Sequence, residues 1–407
     1  MKPTPFDFTN LKLFEEDVPH RALAALRKDS PVYWNRSAHA SGDDGFWLIT
    51  KHEDVVRIER NTQLFSSHHG LTLVDSPPAT AGAPWCMIRD GLTHLDPPDH
   101  EAHRKIVAAM CTQRAVSVFE DRIRNLATEI IDRACALRSV NFASEVALRF
   151  PVYVVLGEVL GLPSDDFEKA VNWSDFIVAP SDPEFPPGMG PRVIQQIYDY
   201  AMSVFASRRR QQRNDFLGLL ATSCGPDKCP MTDQVFARYF WSLFTGAFDT
   251  TASAIAGGML ALIQFPQEYQ KLTSNPALVS SAVEEILRWE TPTIYFRRTA
   301  TADTEIRRQP IRRGQRIVMC YAAANRDEDI FDNPETFDVQ RKPNEHLSFG
   351  FGPHYCLGAN LARLEIRLLF EEIVNRRLVF RLRGKVQRAL SNFQNRIKYM
   401  PVEMSCR

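Results

Sequence analysis

Between residues 232 and 264, apolar side chains fall on almost every face of a helix: Val235, Tyr239, Phe240, Leu243, Phe244, Ala247, Ile255, Met259, Leu260 and Ile263. A helix without a polar face is buried on all sides, so the pattern predicts a central core helix. Residues 106 to about 162 repeat apolar positions near the helix period, and Gly161-Leu-Pro163-Ser164 stops that run and starts another. Two helices follow at roughly 165–180 and 191–213, joined by a Pro/Gly-rich segment, 179–191, of the kind that can act as a lid. Ser281-Ala-Val-Glu284 reads as a capping box for the next helix. A last helical run carries Leu361, Leu364, Ile366, Leu368 and Leu369 and ends near Asn375. Strand patterns are short: Pro31–Trp34, Gly45–Thr50, Gly314–Met319, and an alternation from Leu378 to Val402 with a hairpin tip at Ser391–Asn395. The fold class is therefore mainly α with small β-sheets (α+β). A β-rich part lies at about 25–65, a helical bulk at 100–375 and C-terminal strands at about 376–402.

Composition narrows the class without naming a function. The 407 residues are 44% hydrophobic and 24% charged, an ordinary globular balance. Length alone suggests two or three domains. A formal net charge of zero gives no case for nucleic acid or an anionic membrane. The first ten residues contain no apolar run of signal or membrane-span length, so a cytoplasmic protein without a membrane anchor is expected. Eight cysteines (86, 111, 135, 224, 229, 320, 356 and 406) form no spaced framework, and Cys224 and Cys229 have no further ligands nearby to complete a zinc site. Residues 66–93, with Pro77, Pro78, Gly82 and Pro84, are poorly periodic, and a loop this long is usually functional.

Three stretches carry chemistry. In His346-Leu-Ser-Phe349-Gly350-Phe-Gly352-Pro-His354-Tyr-Cys356-Leu-Gly358, three glycines crowd one cysteine just before a helix. Glycine lets a backbone turn tightly or approach a flat ligand. A helix N-terminus favours a thiolate, and a lone thiolate suits soft iron. The plainer reading is a core cysteine at a loop–helix junction. In Asp96-Pro97-Pro98-Asp99-His100, followed by Arg104, the two cations lie four apart on one helix face. They either clamp a carboxylate or form a solvated charged face, whereas His103 is offset and reads as structural. Within the core helix, Thr245-Gly246-Ala247-Phe248-Asp249-Thr250 combines a buried acid with hydroxyls that back-bond to the carbonyl four residues earlier and bend the helix. That builds a proton relay. Alternatively, Asp249 is a buried charge paired to a distant arginine.

The pattern Phe-x-x-Gly-x-His-x-Cys-x-Gly, at 349–358, resembles the haem-binding loop of the cytochrome P-450 family at every position, and four further motifs follow the family order. The resemblance spans about residues 25–402 and is to the soluble bacterial type. It implies a single-domain cytochrome P-450 fold over 1–407, with haem b (iron protoporphyrin IX) between the core helix and the helix after Cys356. Cys356 would then be the axial metal ligand, with Phe349 covering it and Gly358 beside it. His100, Arg104, Arg298 and His354 would hold the propionates, Arg298 being chosen over Arg297 by register. Asp249 and Thr250 would be the catalytic proton-relay pair, and Ala247 stands where the family usually has Gly. Glu285, Arg288 and Arg341 would form a structural charge network. Trp85, Phe176, Ala247, Phe248, Thr293, Ile294, Phe296 and Phe393 would line the substrate pocket, with Leu71, Leu73, Met87, Ile177 and Phe185 as further candidates.

The activity implied is a monooxygenase that puts one oxygen atom of O₂ into a hydrophobic terpenoid, steroid or lipid. Since the chain carries no flavin or iron–sulfur sequence, electrons would come from a separate ferredoxin or flavodoxin with its NAD(P)H reductase, docking near Lys105, Arg114 and Arg367. Two other readings stay open: a haem-thiolate protein that uses peroxide or rearranges its substrate, and a non-catalytic haem sensor or carrier.

Overall fold

The computed structural model describes residues 6–36, 45–75, 84–186, 188–211 and 213–405. Pro77, Pro78, Gly82, Pro187, Cys406 and the first five residues lie outside the described residues. The apolar run at 232–264 is two helices, Asp233–Ala247 and Asp249–Gln264, hinged at Phe248, where φ is −119°. The Thr245 and Thr250 hydroxyls donate to the carbonyls of Trp241 and Gly246, four residues earlier, at 2.9 and 3.2 Å. The bend expected around Gly246 and Thr250 is therefore present, with the break itself at Phe248. Among the described residues this pair is the one apolar stretch long enough to cross a bilayer, but most of it is buried inside the protein.

The hinge divides two cores. Beyond it, Ala254–Leu262 pack with the helices Glu120–Leu137, Val279–Glu290 and Ala359–Asn375. Before it, Phe236, Phe240 and Phe244 stack four residues apart, with ring centroids 6.4 and 5.9 Å apart, against the helices Phe167–Val178 and Gly190–Gln211. Burial of both cores is the main stabilising term.

Two sequence-based expectations need correction. The helical run to Leu162 is interrupted: Ser139–Asn141 is a strand, paired antiparallel with Pro401–Glu403 at the chain's other end. Pairing between distant segments here overrides local helix pattern. Pro151 then falls inside the next helix, between wide π-type segments at 143–148 and 153–159. The capping box is also absent. That helix begins at Val279, Ser281 lies inside its first turn and donates to the Val339 carbonyl at 2.7 Å, and Glu284 instead binds Arg363.

The main sheet has five strands in the order Val32–Arg36, Gly45–Ile49, Arg316–Cys320, Tyr295–Ala300, Phe65–Ser66. Its register pairs Trp34 with Trp47, Arg298 with Ile317 and Arg297 with Val318. Alternation along a strand sends Arg297 and Arg298 to opposite faces and puts Phe296 on the same face as Arg298. At the C-terminus, Gln387–Arg388 and Ile397–Tyr399 pair around the expected hairpin tip.

Candidate active site

A cavity of about 700 Å³ lies where the hinge, the cysteine loop, the helix Asp99–Ala108, the strand Tyr295–Ala300 and the hairpin tip meet. On one side is the cysteine loop. Gly350 and Gly352 have φ of +67° and +65°, and a Cβ on Gly352 would lie 2.8 Å from the Glu59 carbonyl oxygen, so only glycine fits there. These turns close the loop so that the Cys356 N–H donates to the Phe349 carbonyl at 2.8 Å. A Cβ on Gly358 would meet no protein atom within 4 Å, which leaves room for a flat ligand against the backbone. Burial pushes the Cys356 thiol up, and the N–H groups of Gly358 and Ala359, with Arg104 and Arg363, offset only part of that. The helix starts at Ala359, past the cysteine, so its N-terminus does not by itself make the thiolate that was expected. A metal ion bound to the sulfur would supply that stabilisation.

The cations expected to hold carboxylates do converge on this cavity. His100, Arg104, Arg298 and His354 all line it, and the His100 and His354 rings pack 4.1 Å apart. Burial first, then the neighbouring arginines, hold both imidazoles well below their ordinary pKa. His100 Nδ1 and Arg298 Nε are buried without hydrogen-bond partners. Buried donors and charge left unpaired are costly. This cluster therefore fits a ligand with two carboxylates, as a haem has, while the space at Gly358 and the sulfur of Cys356 fit its ring and iron. Arg297 does not line the cavity: its guanidinium binds Asp75 and the His69 carbonyl.

On the opposite side, Thr250 and Ala247 line the cavity at the hinge, but Asp249 does not. Asp249 is 1% exposed, with Oδ1 2.9 Å from Arg396 Nη1. Arg396 Nη2 lies 2.5 Å from Asp175, on the helix Phe167–Val178. The Arg396–Asp249 contact is an ion pair rather than an aligned hydrogen bond, since Oδ1 has no hydrogen-bonding partner. Burial raises the Asp249 pKa to about 6, against the pull of Arg396. The arginine-paired reading of Asp249 is thus the observed geometry, next to a Thr250 that lines the cavity and donates to the Gly246 carbonyl.

The remaining predicted residues divide. Trp85, Thr293, Phe296 and Phe393 line the cavity, as do Leu71, Leu73 and Ile177. Phe176, Phe248 and Ile294 do not. Phe176 packs edge-on against Phe185 in the core, and Phe248 packs edge-on against Phe244, where it anchors the hinge. Ile294 is 1% exposed in a cluster with Phe8, Phe14 and Val18. Met87 is fully buried in the core. The charge network forms as expected: Glu285 and Arg288 are fully buried and joined by two bonds of 2.8 Å, and Arg341 Nε reaches Glu285 at 3.1 Å. His103 is structural, bonded to the Tyr239 hydroxyl at 3.0 Å.

Sequence reasoning missed two acids on the cavity wall. Both oxygens of Glu365, in the helix after the cysteine, are buried without partners, and burial raises its pKa well above the ordinary value. The signal was a lone acid between Leu364 and Ile366 in an apolar run. Glu59 accepts from the Tyr321 hydroxyl at 2.6 Å, lies 3.8 Å from Arg298 and is raised by burial to about 7. It sits in an exposed-looking, charge-rich helix, so no sequence signal marks it.

The chain is similar to known proteins along nearly its whole length. The family profile described as Cytochrome P450 matches residues 189–394. Steroid C26-monooxygenase of Mycolicibacterium smegmatis is 33% identical over 405 residues, spanning 98% of this chain and 94% of that protein. Linalool 8-monooxygenase of Pseudomonas putida is 32% identical over 410 residues, spanning 97% and 98%. Among solved structures, Mycobacterium marinum cytochrome P450 CYP268A2 in complex with pseudoionone matches with a TM-score of 0.85 and 32% identity over 94% of both chains. With a cysteine loop, a cation cluster and a threonine hinge around one cavity, and likeness along nearly the whole length, the chain belongs to the cytochrome P450 family.

Proposed function

We propose that this protein oxidises a neutral terpenoid or steroid in the cavity at the Phe248 hinge, with electrons from a separate ferredoxin or flavodoxin and its reductase. Family membership makes it a haem b monooxygenase acting on hydrophobic substrates. Haem, when bound, supplies the redox chemistry that activates O₂. The observation carrying the finer reading is that Cys356, two arginines, two uncharged histidines and Thr250 line one largely apolar cavity.

Each residue then has a task. Cys356 would hold the iron as a thiolate, and Gly358 leaves open space for the ring. Arg104 and Arg298 would neutralise the two propionates, and His100 and His354, held uncharged by burial, would meet them through hydrogen bonds, with His100 Nδ1 and Arg298 Nε as the partnerless buried atoms such a group could engage. The Thr250 hydroxyl, now donating to Gly246, holds a proton at the cavity edge. Asp249, with a pKa of about 6, exchanges protons near neutrality, and its carboxylate must leave Arg396 to reach that hydroxyl. Trp85, Phe296 and Phe393 exclude water around the substrate.

The electron donor docks on the cysteine side through Lys105 and Arg114, which are exposed. Arg367 is dropped from that surface, because its guanidinium is tied to Glu120 at 2.9 Å and Glu371 at 2.8 Å. In the cell the protein is placed in the cytoplasm, beside soluble donors. The test is turnover of linalool and cholestanol under isotopically labelled O₂ with a ferredoxin system. One labelled oxygen atom in the product supports the reading. Reductant consumption with no oxygenated product from any terpenoid or steroid in a broad panel would refute it.

A further inference from the structure

The hairpin tip brings one more polar group to the cavity. Gln394 lines it and is 7% exposed, and its side-chain oxygen is buried without a hydrogen-bond partner. The backbone there is fixed. Gln394 pairs with Thr293 across an isolated antiparallel bridge, and its N–H donates to the Ser391 hydroxyl at 3.2 Å. Phe393 packs on Phe296, with centroids 5.7 Å apart, and on Tyr295 at 5.4 Å. Thr293 is also on the wall and 8% exposed. The bridge sets the two residues directly opposite each other, so their side chains leave the backbone on one face, and both line the cavity. An unpaired buried amide costs about 1–3 kcal/mol, so a leucine-sized apolar side chain would suit an empty wall better. Reversing the amide exchanges only which end, donor or acceptor, faces inward.

The surroundings limit what can bind this pair. Neighbouring wall residues such as Leu73, Phe296 and Phe393 are apolar. Among the described residues the arginines on the cavity wall are Arg104 and Arg298, and the nearby guanidinium of Arg297 is held by Asp75. An anionic head group would find no free cation here among the described residues. A hydroxyl or ketone oxygen can take both an amide N–H and the threonine O–H, and a hydroxyl can also donate to the amide oxygen.

We propose that Gln394, with Thr293, is the substrate's polar anchor, recognising one neutral hydroxyl or ketone oxygen on an otherwise apolar molecule. This inference rests on the monooxygenase reading of the same cavity. The anchor fixes the orientation of the substrate and is therefore a specificity-determining residue.

The test uses the haem-loaded protein and equilibrium titrations, read by the Soret change or by calorimetry. The probes are cholestanol against cholestane, linalool against myrcene, and palmitate. Wild type should bind each alcohol more tightly than its hydrocarbon. Gln394→Leu should weaken the alcohols on the order of tenfold and leave the hydrocarbons unchanged or tighter. Thr293→Val, nearly isosteric, should weaken the alcohols by a smaller factor in the same sense, which guards against misfolding of the first variant. Equal affinity within both pairs, no binding of either alcohol, palmitate preferred over both, or Gln394→Leu weakening alcohols and hydrocarbons alike would each overturn the anchor. Oxygen-dependent binding without turnover would instead count against the monooxygenase reading and leave the anchor standing.

Discussion

Replacing Arg396 by methionine keeps much of the buried stem and removes the one cation within ion-pair distance of Asp249 among the described residues. Arg396 Nη1 is 2.9 Å from Asp249 Oδ1, and both side chains are buried. At that distance, Coulomb's law with an effective dielectric constant of about 20 gives roughly 6 kcal/mol. Measured losses on breaking buried pairs run at about 3–5 kcal/mol. At about 1.4 kcal/mol per pH unit, the Asp249 pKa should rise by about two to three and a half pH units from its present value of about 6. The direction in stability follows from linkage. An acid whose folded pKa exceeds its unfolded value binds protons more tightly when folded, so it loses stability as pH rises between the two values. In the wild type, that loss is complete once pH passes about 6. In the variant it continues to about 8–9.5, at roughly 1.4 kcal/mol per pH unit. Denaturant unfolding of the haem-loaded protein from pH 5 to 9 measures this. The variant should fall progressively behind the wild type above about pH 6, and Arg396→Met with Asp249→Asn should not. A pH-independent gap between variant and wild type would refute the claim that Arg396 holds the charge of Asp249.

The haem-side assignments give sharper contrasts between neighbours. Arg298→Leu should speed haem transfer to apomyoglobin by about tenfold or more, whereas Arg297→Leu should loosen residues 69–75 with little effect on transfer. Gly352→Ala should destabilise the fold by about 1–3 kcal/mol, because φ is +65° and the Glu59 carbonyl is in the way. Gly358→Ala should fold normally by far-UV circular dichroism but load less haem, since its Cβ enters only the ligand space. Glu365→Gln should stay within about 1 kcal/mol of wild type at acid pH. It should then gain on wild type in unfolding experiments as pH rises, because burial raises the Glu365 pKa and the amide does not titrate.

What the sequence disclosed was set by range. Cys356, Gly358, His100, Arg104 and Thr250 sit in short motifs whose spacing is itself the geometry: a turn, one helix face, a back-bond to the preceding turn. Arg298 over Arg297 came from the register of the family motif, and alternation along the strand puts only Arg298 of the two on the cavity wall. Pairings between distant segments were not. The arginine that holds Asp249 is Arg396, on the C-terminal hairpin, and nothing near Asp249 names it. Phe176, Phe248 and Ile294 were misplaced for a related reason. A bulky apolar residue next to a cavity has the same pattern whether it faces the core or the ligand, and the hinge at Phe248 turned its ring towards Phe244. Gln394 went unnoticed because its backbone partner, Thr293, lies far away in sequence.

Ligation of the haem iron by Cys356 as a thiolate is the claim on which every other role depends. The absorbance of the dithionite-reduced protein with and without carbon monoxide tests it directly, in wild type and in Cys356→Ser. Wild type should show the strongly red-shifted Soret band of a thiolate–iron–carbon monoxide complex, and the folded serine variant should lack it. A wild-type band typical of a histidine or neutral ligand in freshly prepared protein, or an unchanged red-shifted band in Cys356→Ser, would contradict the account.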